Sequence, residues 1–369
     1  MGKEFSKYSV ALKNQHIKTD FDPPVIYLES VKGCPLSCAM CKYRQTKPQR
    51  MPSVLLQKIE PYFKNLEVLA IHGQGEPLLG DIEYFVNQSV MHDFVLHMNT
   101  NGLLLTEKIA DLLLKTRLSI RFSVHSGTPE TYEKIMGSDL NRALKNISYI
   151  VKKSKESIKD CDLWFSFIVM KENIDEIEDF LHLTHDCGIK RVRFEQLYPS
   201  WRSLKGDKIR NRNFTFRYFE QFNKNIRNNF MERIPDYQSL SNELGIDIKF
   251  GSSLSHNKRS HQIKEIINTV NIELLGTTFF PLRKIPGACA APWIGQLVIN
   301  HEGDVRLCCE RTYTLGNLYE STLAEIWNSK KIMAIRKSFH DGFNPRICGY
   351  CGGFGLSNYP KNSFFGKGE

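Results

Sequence analysis

VIYLESVKGCPLSCAMC (residues 25–41) sets an apolar, strand-forming run directly against three cysteines. VIYLES (25–30) reads as a buried strand, and Gly33 and Pro35 mark the loop that follows. Cys34-Pro-Leu-Ser-Cys38-Ala-Met-Cys41 then places three thiols in that one loop, at CxxxCxxC spacing. Three close thiolates can hold three corners of a cubane cluster and leave the fourth iron without a protein ligand. Zinc is the alternative, but it takes four Cys or His ligands in its structural sites. No fourth Cys or His stands near the triad.

The same texture continues along the chain. LEVLAIHG (66–73), FVLHMNT (94–100), LSIRFSVH (118–125), LWFSFIVM (163–170) and RVRFEQL (191–197) read as further strands. Helices are expected between them: after Pro52, with Pro61 limiting the first; over 80–91; from a Thr106 cap through Lys115; over Pro129–Met136 and Leu140–Lys153; and over Ile174–Cys187. Six strands alternating with helices over 25–198 predict an α/β fold with a parallel sheet, closed or open; six units fall short of the usual eight, and a partial (β/α)6 TIM-like barrel would leave its C-terminal mouth open. The apolar runs predict strands covered on both faces. Sites in such folds gather at the C-terminal strand ends. Those ends carry Cys34, Gly75-Glu76, Asn99 to Asn101, Ser123 and His125.

The flanks differ. Residues 1–24 form a polar N-terminal extension. Residues 199–285 form a connecting insert with thirteen Lys/Arg against seven Asp/Glu over 201–265, and one expected helix over 214–230. Arg202, Lys205 and Arg210 in it are expected to meet a polar or anionic substrate. Residues 286–358 form a small cysteine-rich α+β domain, with a hairpin of QLVI (296–299) and VRLC (305–308) and a helix over Thr322–Phe339; a tail covers 359–369. Five of the ten cysteines lie here. Cys289, Cys308, Cys348 and Cys351 supply four ligands for one closed site, and a set of four thiolates suits iron–sulfur and zinc alike. Cys309 is surplus; it can exchange with Cys308 as ligand or serve as a hydrogen donor. The net charge of +10 could attract phosphate or nucleic acid, but such a surplus is more often a solvated face, and a nucleic-acid partner is not expected. No stretch approaches 18 uncharged apolar residues, and the first residues lack the apolar core of a secretory signal, so membrane insertion and export are not expected and a cytoplasmic place is.

Taken together, the cysteine loop, its place after the first strand and the motifs that follow resemble the radical S-adenosylmethionine (SAM) superfamily. The resemblance implies a [4Fe–4S] cluster on Cys34, Cys38 and Cys41 whose open iron chelates SAM, with reductive cleavage to methionine and a 5′-deoxyadenosyl radical. Gly73-Gln74-Gly75-Glu76-Pro77 resembles the family's GGE motif, which implies that Gly75 and Glu76 meet the SAM amino group. Thr100-Asn101-Gly102 and Ser123 resemble further SAM-binding positions; His125 stands where Asp is common, and Met40 where an aromatic residue sits beside the adenine. GDVRLCCERTYTLGNLYESTLAEIWNS (303–329) resembles the SPASM/twitch domain, implying one auxiliary [4Fe–4S] cluster on Cys289, Cys308, Cys348 and Cys351. The implied activity is oxygen-sensitive: hydrogen abstraction from a small polar metabolite of sugar or aminocyclitol type, or from a peptide or protein, giving oxidation, epimerisation or crosslinking. An electron donor such as flavodoxin or ferredoxin is the implied partner. A radical SAM RNA-modifying enzyme is the first alternative, although such enzymes lack this C-terminal cysteine pattern. A zinc-stabilised, non-catalytic binding protein is the second.

Overall fold

The computed structural model describes residues 7, 10–12, 14–41, 47–197, 208–211, 214–251, 254, 291–308, 311–341 and 345. The chain divides into two compact units. One comprises residues 28–52 and 69–254; the other comprises 1–27, 53–68 and 255–369.

The larger unit is built on a parallel sheet. Its strands are β4 (Val68–Ile71), β5 (Val95–Thr100), β6 (Leu118–Ser123), β7 (Cys161–Val169) and β8 (Arg191–Gln196), neighbours in that order, with β11 (Asp247–Phe250) beyond β8. β1 (Val25–Leu28) leads into it. Helices α2 (Ile82–His92), α3 (Glu107–Leu113), α4 (Pro129–Met136), α5 (Leu140–Ser154) and α6 (Ile177–Asp186) alternate with these strands. Several start on side-chain caps: Asp81, Thr106, Thr128 and Asp139 each accept from a backbone N–H of the first turn. The α/β architecture with a parallel sheet is the one expected of a partial barrel.

The two faces of the sheet differ in chemistry. Leu96, Met98, Ile120, Phe122, Phe165, Phe167, Val192 and Phe194 are fully buried. Phe165 and Phe167 lie 5.8 and 4.6 Å, centroid to centroid, from Phe180 of α6, so this is the helix-covered face. Successive residues alternate sides. The opposite face therefore carries His97, Asn99, Ser119, Arg121, Ser123, Trp164, Ser166, Arg191, Arg193 and Glu195. That polar band departs from the expectation of strands apolar on both sides.

The insert also departs from its reading. Phe214–Arg217 is strand β10, paired antiparallel with β9 (Lys208–Asn211) rather than opening a helix. Helix α7 (Lys224–Glu232) begins only after Asn223, whose side chain accepts from the N–H groups of Asn225 and Ile226. Helix α8 (Ile234–Glu243) follows, and β11 then pairs parallel with β8.

In the other unit, α1 (Ser53–Ile59) passes into a 3₁₀ turn over Glu60–Asn65 that accommodates Pro61. β12 (Gly295–Ile299), β13 (Asp304–Cys308) and β14 (Arg311–Asn317) form an antiparallel meander. The expected hairpin is its first half. The helix expected over 322–339 is two: α9 (Leu323–Trp327), opened by a Thr322–Glu325 capping box, and α10 (Lys330–His340). Between them Asn328 turns its side chain to the N-terminal segment, accepting from Thr19 N at 3.1 Å and donating to Thr19 O at 3.0 Å. No helix among the described residues is long and apolar enough to cross a membrane.

Candidate functional site

The cysteine loop is fastened at three points. Its ends are clamped by β2 (Val31–Lys32), which pairs antiparallel with β3 (Gln49–Arg50). Gly33 bridges to Gly75, with Gly33 N donating to Gln74 O at 2.9 Å and Glu76 N donating to Gly33 O at 3.1 Å. A Cβ on Gly75 would stand 2.5 Å from Gly33 O and 2.6 Å from Val31 O, so only glycine lets the two backbones meet. The C-terminal end of α4 holds the third point: Ala39 N donates to Ile135 O at 2.7 Å, and the Cys38 thiol lies 3.7 Å from Met136 O.

Cys34, Cys38 and Cys41 are half-buried, as is Met40. In the polypeptide alone, burial pushes the Cys34 thiol up to about 11. Burial, then the charges of Cys41 and Cys34, push Cys38 higher still. Thiolates packed this way need positive charge beside them, which iron supplies. Among the described residues, no three Cys, His, Asp or Glu side chains converge on a single ion. A cubane instead takes one cysteine on each of three irons. The donor set, the glycine contact and the buried sulfur environment fit such a cluster.

Glu76 is buried beneath the loop and is fully engaged. One carboxylate oxygen accepts from Thr100 Oγ1 at 2.6 Å and Leu78 N at 3.2 Å; the other accepts from Asn101 N at 3.1 Å and Asn101 Nδ2 at 2.6 Å. Burial pushes its carboxyl up to about 7, against the lowering effect of these donors. Four donors fill the four acceptor positions of a carboxylate. Glu76 thus ties two strand ends together. Asn101 spends its amide on Glu76 and its carbonyl oxygen on Leu103 N at 2.9 Å.

Ser123 is half-buried on the polar face, opposite Ser166. His125 is buried, and its Nδ1 accepts from Ile168 N at 3.3 Å. Burial lowers its pKa to about 4, so it is a neutral, hydrogen-bonded residue of the strand end. Thr100, in the motif with Asn101, supports Glu76. Residues that motif reading passed over also stand near this centre. Tyr132 is buried on α4. On the polar face, the Arg121 guanidinium stacks 4.1 Å from the Trp164 ring centroid. An arginine inside a strand gives no motif; only its alternation with Ile120 and Phe122 marks it as facing away from the helices.

In the other unit Cys308 is buried on β13. Cys289, Cys309, Cys348 and Cys351 lie outside the described residues, as do Arg202 and Lys205. Arg210 falls in β9, opposite Thr215.

Comparison with known proteins agrees with this geometry. Residues 28–184 match the radical SAM superfamily, and residues 289–352 match SPASM, an iron–sulfur cluster-binding domain. A probable GTP 3′,8-cyclase of Saccharolobus islandicus is 29% identical over 103 residues, 28% of this chain and 32% of that protein. The match thus spans about a third of that relative. In fold, the chain is similar to SuiB of Streptococcus suis bound to its precursor peptide SuiA: TM-score 0.60, 17% identity, 90% of this chain and 71% of that one. It is also similar to anSMEcpe with bound AdoMet and a Kp18Cys peptide: TM-score 0.57, 17% identity, 85% and 83% covered. Its cofactors are SAM, a [4Fe–4S] cluster and auxiliary iron–sulfur in the C-terminal domain. The zinc-stabilised, non-catalytic alternative is thereby set aside. The chain is a radical SAM enzyme with a C-terminal SPASM domain.

Proposed function

We propose that this enzyme abstracts hydrogen from a polar substrate, a small metabolite or a peptide residue, held over the polar face of the parallel sheet. The observation that carries the reading is the row Asn99–Arg121–Trp164, side by side in register, one step below Ser123 and Ser166. Half-burying an arginine, an asparagine and a serine, and burying Ser166, on one sheet face costs folding energy that an apolar face would not. Such a face suits recognition rather than stability. Arg121 offers charge to a carboxylate, phosphate or carbonyl, and Trp164 offers a flat apolar surface backed by that cation.

Cys34, Cys38 and Cys41 would hold the cluster, and the backbone of Gly75 and Glu76, with Asn101 and Ser123, would line the SAM site. When bound, these cofactors supply a carbon-centred radical that removes hydrogen from an unactivated C–H bond. The chain orients both partners at the strand ends and keeps water away. Glu76 fixes the spacing between the GEP turn and the TNG turn, and His125 stays neutral and positions β7. Cys289, Cys308, Cys348 and Cys351 would hold the auxiliary cluster, and an electron carrier such as flavodoxin or ferredoxin would deliver reducing equivalents.

The test is anaerobic reconstitution with SAM, dithionite and pools of polar metabolites or peptides, read by mass spectrometry. 5′-Deoxyadenosine should form, deuterium should pass to it from the true substrate, and Arg121→Met should raise that substrate's KM. Substrate turnover unaffected by Arg121→Met would remove the polar face from the site.

A further inference from the structure

The Tyr132 side chain is fully buried, and its hydroxyl has no hydrogen-bond partner among the described residues. An unpaired buried hydroxyl is costly and rare in a native protein, which calls for an acceptor that belongs there. Its surroundings say what kind. Tyr132 lies on α4 three and four residues before Ile135 and Met136, and so shares a helix face with them. Those two residues offer the carbonyls that receive Ala39 N and the Cys38 thiol. Burial first, and then the charges of Cys38, Glu76 and Asp139, push the phenol well above its ordinary value. Glu76 is not its acceptor, because that carboxylate is already filled by Leu78, Thr100 and Asn101.

We propose that Tyr132 is a positioning residue for the N-terminal cluster, its hydroxyl donating to the Cys38 sulfur or to an adjacent cluster sulfide and so raising the cluster's reduction potential. The inference rests on the assignment of Cys34, Cys38 and Cys41 as ligands. A hydrogen bond to sulfur stabilises the reduced, more negatively charged cluster, and such bonds are among the recognised determinants of cluster potential.

The experiment is a redox titration of the anaerobic holoenzyme followed by paramagnetic resonance, reading the cluster whose signal changes on adding SAM. Tyr132→Phe removes only the oxygen. It should leave total iron at the wild-type level, move that potential to a more negative value and slow dithionite-driven SAM cleavage. Placing 3-fluorotyrosine at position 132 alone keeps the ring and makes a more acidic donor, so it should move the potential the opposite way. The second substitution preserves packing and stays informative if the phenylalanine variant loads iron poorly. A potential unchanged by fluorination, or unchanged in an iron-replete Tyr132→Phe enzyme, would overturn the proposal. A SAM-responsive signal that persists in the Cys34/Cys38/Cys41→Ala triple variant would instead refute the ligand assignment beneath it.

Discussion

At the scale of single residues, Glu76 and His125 show two ways a buried titratable group serves a site. Each oxygen of Glu76 receives one backbone N–H, from Leu78 or from Asn101. Glu76→Gln must therefore set its amide against one of them whichever way it turns. The expected cost is about 1–3 kcal/mol, the penalty of one orphaned buried donor. Urea unfolding should show that loss, and SAM affinity should fall with it because the two strand ends lose their tie. His125 carries the opposite charge logic. Its folded pKa of about 4 lies below the ordinary 6.5, so the unfolded chain binds a proton first as pH falls. Its contribution is fully present above pH 6.5 and is lost progressively between 6.5 and 4, amounting to about 3 kcal/mol at the acid end. Between pH 7.5 and 5.5 the loss from this residue should be about 1 kcal/mol. His125→Gln, which keeps an acceptor for Ile168 N, should remove about that much of the pH dependence of stability over that interval, leaving the share of the buried His72 and His97; an unchanged slope would show that the ring is not the source.

Among elements, the junction of the cysteine loop with the Gly75 turn governs cluster loading. The atoms a Gly75 Cβ would strike are backbone atoms of Val31 and Gly33, which cannot swing aside as a side chain can. Gly75→Ala should push the loop outward, and iron content should drop by about four per chain, one cubane, with the SAM-responsive paramagnetic signal lost. Retention of full iron would mean that the Gly33–Gly75 bridge is dispensable. The cysteine loop and the Gly75 turn were legible in the sequence as separate motifs, as were all six barrel strands and their helices; the backbone contact that joins the two turns was not. Apolar runs and glycine-ended turns are local signals, and the chemistry of the superfamily is written in short motifs. What escaped was non-local. FTFR at 214–217 looked helical because its pairing partner lies in another strand. The helix over 322–339 broke because Asn328 answers to Thr19, about three hundred positions away. Arg121 and Trp164 carry no motif and become a pair only when β6 and β7 align.

For the whole molecule, the N-terminal residues prove to be structural members of the unit that holds the C-terminal domain. Trp293 Nε1 donates to His16 O at 2.8 Å, and Trp327 Nε1 donates to Phe21 O at 2.9 Å. Arg336 is fully buried, donates to Pro292 O at 2.8 Å, Ile17 O at 3.3 Å and Asn328 Oδ1 at 3.2 Å, and stacks 4.3 Å from the Trp327 ring centroid. These acceptors are mostly main-chain carbonyls, which leave no trace in side-chain composition, so the segment read as a polar extension. Burial lowers the Arg336 pKa to about 10, which still leaves it charged at neutral pH. Arg336→Met keeps most of the stem and removes every one of these donors. Hydrogen bonds from a charged group contribute about 1.5–3 kcal/mol each at most, and losses within one network do not add, so a cost on the order of 3 kcal/mol is expected. The damage should stay within this unit, because none of these contacts involves residues 28–52 or 69–254. Limited proteolysis should release the first 27 residues early. Iron should fall from about eight to about four per chain as the auxiliary cluster is lost. Dithionite-driven SAM cleavage should survive while substrate turnover drops. An Arg336→Met enzyme that keeps about eight irons and resists protease at its N-terminus would show that the N-terminal segment does not support the auxiliary cluster.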